Sequence, residues 1–127
     1  MNPVPYLIVF LGAGLGGALR HGVNQLVSQW LGTNFPYGIL FINITGSMLL
    51  GFLAGYFAFK GEASQHWRLF LTTGLCGGYT TFSTFSQDTV LIADRGQMAM
   101  AALYVSLSLF LSLLGFFAGL WTMRQMS

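Results

Sequence analysis

Charge is what this sequence has least of. Only 6% of its 127 residues are Asp, Glu, Lys or Arg, against roughly a quarter in an ordinary soluble domain. Hydrophobic residues make up 54% and aromatics 16%, a composition that cannot clothe a water-facing surface and marks a membrane protein. The one cysteine, Cys76, excludes an internal disulfide and leaves the compartment open. No basic patch points to nucleic acid, no low-complexity linker divides the chain, and no strong repeat marks a fused pair of halves. The opening residues, MNPVPYLIVF, lack the positive leader of a cleavable signal peptide, so the first hydrophobic segment is expected to be retained. His21 and His66 stand alone and no nucleophile has an evident base partner, which argues against an enzyme.

What is present is long and apolar. Runs free of Lys, Arg, Asp and Glu extend over Val4 to Leu19, His21 to Phe59, Leu69 to Gln87 and Gly96 to Met123, and a transmembrane helix needs about 20 such residues. The second run is too long for one crossing, and Gly32, Asn34 and Pro36 break it. The pattern predicts a single transmembrane domain over 1–127, all-α, with four helices at about 4–28, 36–60, 66–93 and 97–124. The third is expected to break near 75–81, where GLCGGYTTFSTFSQD packs Gly74, Gly77 and Gly78 beside a cluster of hydroxyls. Four crossings put Lys60, Arg68 and Arg124 on one side and Arg20 and Arg95 on the other. Three against two is hardly a bias under the positive-inside rule. The chain either inserts both ways and pairs antiparallel, or Arg20 lies too deep to count and the orientation is fixed. Three Gly-x-x-x-Gly pairs, Gly12/Gly16, Gly51/Gly55 and Gly115/Gly119, point to close helix packing without naming the partner.

Several polar residues fall where lipid would make them expensive. A broken helix within the membrane survives only where protein or a wet cavity covers it, and its free backbone groups suit ion coordination; a kink tolerated by neighbouring helices is the other reading. Asn43, in LFINITGSMLLG, is either glue between helices or a donor aimed at a permeating solute. Tyr104, Ser108 and Ser112 fall on one face of the last helix. Their hydroxyls either form a polar track or return hydrogen bonds to their own helix. Arg20 and Asp88 lie near helix ends, where snorkelling is the default. Phe82 and Phe85 share a helical face just after the break. They are either packing residues or rings whose positive edges meet an anion.

The segment GLCGGYTTFSTFSQD resembles the signature of the Fluc (CrcB) family of bacterial fluoride channels, as do GAGLGGALRHG and FINITGSMLLGFLAG in the first two helices. The resemblance covers essentially the whole chain. It implies an antiparallel, dual-topology homodimer in the inner membrane, with two fluoride pores built from both subunits and a sodium ion at the dimer centre. On this sequence it places Phe82, Phe85, Asn43, Tyr104, Ser108 and Ser112 along the fluoride path and Arg20 at the aqueous mouth. It gives the carbonyls of Gly77 and Thr80 to the sodium ion. Thr81, Ser83 and Asp88 stand beside these without an assigned role, and family members commonly carry Glu where this chain has the shorter Asp88.

Two other functions compete with the channel. Small dual-topology exporters exchange a proton for substrate at a membrane-centre carboxyl, for which Asp88 is the one candidate. A purely structural membrane subunit would leave sealed liposomes tight to fluoride.

Overall fold

The computed structural model describes residues 2–60 and 64–126, and every regular element among them is helical. Of the loop expected around residues 60–68, residues 61–63 lie outside the described residues. Helix α1 spans Val4–Leu31, α2 Tyr37–Phe59 and α6 Met98–Met126. These three are long and apolar enough to cross a membrane; even α2, at 23 residues, reaches ~35 Å against a hydrocarbon core of ~30 Å.

The segment expected as the third crossing is built in pieces, and none of them alone is long enough to span. Helix α3 (Gln65–Arg68) widens into a π-helical stretch over Leu69–Cys76, which tightens into α4 (Gly77–Tyr79). The chain then leaves helical geometry at Thr80, whose φ of −78° and ψ of 160° are extended. It resumes as α5 over Ser83–Asp94. Serine Ser64 opens the first piece, its hydroxyl accepting from the Trp67 amide. Gly32, at the end of α1, and Gly96, in the turn before α6, adopt φ of 81° and 80°, the left-handed region that glycine enters without penalty.

Packing sorts the helices into two parallel pairs. Gly12 and Gly16 of α1 meet Phe70 to Tyr79 in the same chain direction, so closely that a Cβ on Gly16 would collide with the Leu75 carbonyl. Along α2 and α6, Ile44 lies against Gly115, Met48 against Gly119 and Gly55 against Met123, so these helices also run the same way. All three Gly-x-x-x-Gly pairs are therefore used within the chain. The antiparallel turn from α5 into α6 and the link after α1 meet in one small core, where Phe35, Ile92, Ala101 and Tyr104 pack together. At the C-terminal end of α2, Arg68 lies over the Phe57 ring at 5.3 Å and Arg124 over Phe59 at 5.6 Å.

Most large apolar side chains point outward: Phe10 is 72% exposed, Phe110 67% and Phe82 78%. An outside of this kind is stable against lipid or another protein surface, not against water. The chain is a multi-pass membrane protein.

Candidate functional site

Phe82 opens α5 directly after the break, and its ring stands 5.6 Å from that of Phe85, which in turn lies 5.2 Å from Tyr104. Both phenylalanines line a groove of about 510 Å³ between α2, the break and α6. Asn43, Ser47, Thr80, Thr81, Ser108 and Ser112 contribute its polar positions, and Leu50, Val105, Leu109 and Leu113 much of its apolar wall. The groove thus brings together most of the residues singled out from the sequence. Ser47, four residues after Asn43, was missed; the helical period alone puts it on the same face of α2.

The wall contributed by α6 holds an anomaly. Ser108 Oγ and Ser112 Oγ are buried, and neither has a hydrogen-bond partner. Of the two readings for these hydroxyls, a bond back to their own helix is not made. A buried donor without a partner costs about 1–3 kcal/mol, and such groups call for a physical reason.

Asn43 faces the break in a reciprocal pairing. Its Nδ2 donates to the Thr81 carbonyl at 3.0 Å, and its Oδ1 accepts from the Thr81 amide at 2.9 Å. Two residues along, Thr45 Oγ1 meets the Tyr79 hydroxyl at 3.0 Å. Helix α2 therefore grips the chain on both sides of Thr80. Thr81 is buried, and its hydroxyl caps the restarting helix by accepting from the Thr84 amide at 3.2 Å; Ser83, exposed, lies beside it with its Oγ 3.3 Å away.

Tyr104, Asp88, Arg20, Gly77 and Ser83 do not line the groove. Tyr104 is fully buried beneath Phe85 and donates to Asp88 Oδ2 at 3.2 Å. Asp88, half-buried, accepts that bond. Arg20 does not snorkel away from the bundle; its Nη1 reaches across to the Thr80 carbonyl at 3.4 Å, the long end of the range for such a bond. Gly77 is exposed, with its own amide bonded to the Thr72 and Gly74 carbonyls. Neither the Asp88 to Tyr104 bond nor the Arg20 reach carries a local signal in the sequence, because each joins distant segments.

Residues 7–120 match the family described as CrcB-like protein, Camphor Resistance (CrcB). The chain belongs to this family. Similar proteins include "Fluoride-specific ion channel FluC 2" of Nitrobacter hamburgensis, 51% identical over 96% of this chain and 98% of its own length. "Fluoride-specific ion channel FluC" of Rhodopseudomonas palustris is 55% identical over the same shares. The protein of that name from Methylobacterium nodulans is 56% identical over 94% of this chain and 95% of its own. These relatives are named as ion channels, a class of transporter and not of enzyme.

Proposed function

We propose that this chain is the subunit of a fluoride-selective passive channel of the bacterial inner membrane. Two copies pair antiparallel in dual topology, with two pores and a structural sodium ion between the subunits. The observation that carries the reading is the pair of buried, unpartnered hydroxyls on Ser108 and Ser112, on the wall of the groove that Phe82, Phe85 and Asn43 share. Fluoride is small and strongly hydrated, so a pore has to replace its water with compact donors and still release it. Hydroxyls without a protein partner can donate to a passing anion without first breaking a bond. The Asn43 carboxamide has two N–H groups and spends one on Thr81, which leaves the other for the groove. Ring edges of Phe82 and Phe85 add weak positive potential without a fixed charge that would hold the ion.

Helix directions support a fourth crossing through residues 65–94. Because α6 runs alongside α2 in the same direction, the chain has to return to the end where α2 begins before α6 starts. The shared core of Phe35 with Ile92 and Ala101 lies at that end. Four crossings restore the three-to-two split of Lys and Arg, which favours insertion both ways. The 78% exposure of Phe82 beside an open groove supports a second copy as the missing wall.

The residues at the break also suit a monovalent cation. No group of three or more His, Cys, Asp or Glu side chains gathers among the described residues, so the donors on offer are neutral backbone oxygens, as hard cations accept. Thr80 and Thr81 direct their amides to Cys76 and to Asn43, so neither bonds the Gly77 carbonyl, the natural helical acceptor of the Thr81 amide. The Thr80 carbonyl has the Arg20 guanidinium as a weakly held companion. A bound ion would add positive potential at the centre and join the two copies.

An exporter would need its carboxyl in the transport path, whereas Asp88 lies off the groove and is occupied by Tyr104. The deciding experiment is efflux from liposomes holding the purified protein, followed with fluoride and chloride electrodes. Rapid fluoride release, silent chloride and no dependence on a proton gradient are expected. Fluoride-tight vesicles containing folded protein would sink the channel reading.

A further inference from the structure

We infer that Asn43 is a positioning residue for the cation site: by capturing the backbone of Thr81 it keeps the Gly77 carbonyl free. The inference rests on the cation reading above and goes beyond it, because it moves the origin of the site from the broken segment itself to a side chain on α2.

Ordinary helix geometry starts the argument. In a continuous helix the amide of residue 81 donates to the carbonyl of residue 77. Here it donates to Asn43 Oδ1 at 2.9 Å, while the Thr81 carbonyl accepts from Asn43 Nδ2 at 3.0 Å. A carboxamide is the neutral side chain that presents one donor and one acceptor side by side, and it therefore imitates a peptide group and satisfies both backbone atoms of Thr81 at once. The preceding amide, that of Thr80, still follows the helical rule and donates to Cys76 at 3.0 Å. The first rung to fail is thus the one that would have closed on Gly77, and the helical pattern resumes only where the Ser86 amide donates to the Phe82 carbonyl at 2.9 Å. Nothing in residues 77–82 forces this: none of them is proline, and Gly77 and Gly78 stay helical. With Asn43 removed, the acceptor that helical geometry offers the Thr81 amide is the Gly77 carbonyl, and an unbonded buried amide has every reason to take it.

Thr80 supplies the means of a direct test. Its φ of −78° and ψ of 160° are the conformation that a following proline requires. Thr81→Pro deletes the competing amide, so the Gly77 carbonyl stays free whatever stands at position 43. Purified dimers in detergent are unfolded by heat across a sodium chloride series balanced with N-methylglucamine chloride, and the sodium concentration giving half the stabilisation is read. Asn43→Ala is expected to raise that midpoint about tenfold, the scale of one net hydrogen bond. Thr81→Pro alone leaves it near the wild-type value, and Asn43→Ala in the Thr81→Pro background is rescued toward wild type, as coupled residues require.

A wild-type protein whose stability ignores sodium overturns the cation reading and this inference with it. A sodium-dependent wild type with an unchanged Asn43→Ala midpoint overturns this inference alone, as does a double variant without rescue. If Asn43→Ala yields no dimer, Thr81→Pro decides: a midpoint near wild type upholds the role given to the amide, and a tenfold loss refutes it.

Discussion

Two sets of hydroxyls in this molecule have the same chemistry and opposite fates. Thr72, Thr89 and Thr122 each return a hydrogen bond to the carbonyl four residues back, at 2.6, 2.8 and 2.7 Å. Ser86 and Thr45 do the same at 3.0 and 2.8 Å. Ser108 and Ser112, on the same helix as Thr122, do not. Back-bonding is the inexpensive way for a helix to hide a hydroxyl in an apolar setting. Where it is declined twice, one turn apart on a groove wall, two donors are held ready at a cost of about 1–3 kcal/mol each. The contrast separates hydroxyls that serve the helix from hydroxyls kept for a solute.

The sharpest way to break the comparison is to leave the hydroxyls and remove the rings. Phe82→Ile and Phe85→Ile are each expected to lower fluoride efflux to that of empty liposomes while the dimer persists on size exclusion. The Phe85 change also strips the contact above Tyr104. Undiminished flux in both variants would make the rings packing residues and leave the serines without a pathway to serve.

The serines themselves come next. Ser108→Ala and Ser112→Ala each delete a buried unpaired oxygen, so each is expected to raise stability by about 1 kcal/mol, measured by thermal unfolding in detergent, while lowering fluoride efflux several-fold. Opposite movement of stability and activity is the mark of a strained functional position. Loss of stability would mean that the hydroxyls have partners after all.

Much of this site was legible because its residues share short-range periodicities: Phe82 with Phe85, Ser108 with Ser112, and the apolar runs that became α1, α2 and α6. The break was only half legible. Its neighbourhood was clear from the glycines, and the glycines misled about its place. Gly78 stays helical because it lets Ala13 of α1 approach, and a Cβ there would run into the Ala13 carbonyl. The chain departs from the helix later, at residues 80–82, beside the side chain of Asn43. That cause lies 38 residues away in sequence, so no local pattern could report it. Likewise the third segment looked like one interrupted span, whereas a π-helical turn precedes the break. Its widened backbone is seated against Gly12 and Gly16, another partnership between distant segments.

Asp88→Ala would create a third unpartnered hydroxyl by design. Tyr104 is wholly buried and gives its O–H to Asp88, so removing the acceptor is expected to destabilise the fold by about 1–3 kcal/mol. Asp88→Asn and Asp88→Glu keep an acceptor oxygen and should cost less. If all three variants unfold together, the Tyr104 bond contributes nothing and the orphaned serines lose their value as a signal.

The smallest effect is the control on which the comparison stands. Thr122→Ala removes a hydroxyl that already has its partner in Ala118 on an exposed face of α6. Substitutions of that kind usually fall within about 0.5 kcal/mol, and fluoride efflux should match the parent protein. A loss of flux as large as that of Ser112→Ala would mean that efflux responds to any hydroxyl on α6. The distinction between bonded and unbonded oxygens would then have no bearing on permeation. With Thr122→Ala silent and Ser112→Ala slow, the difference is tied to the one property that separates them, a donor left without an internal partner.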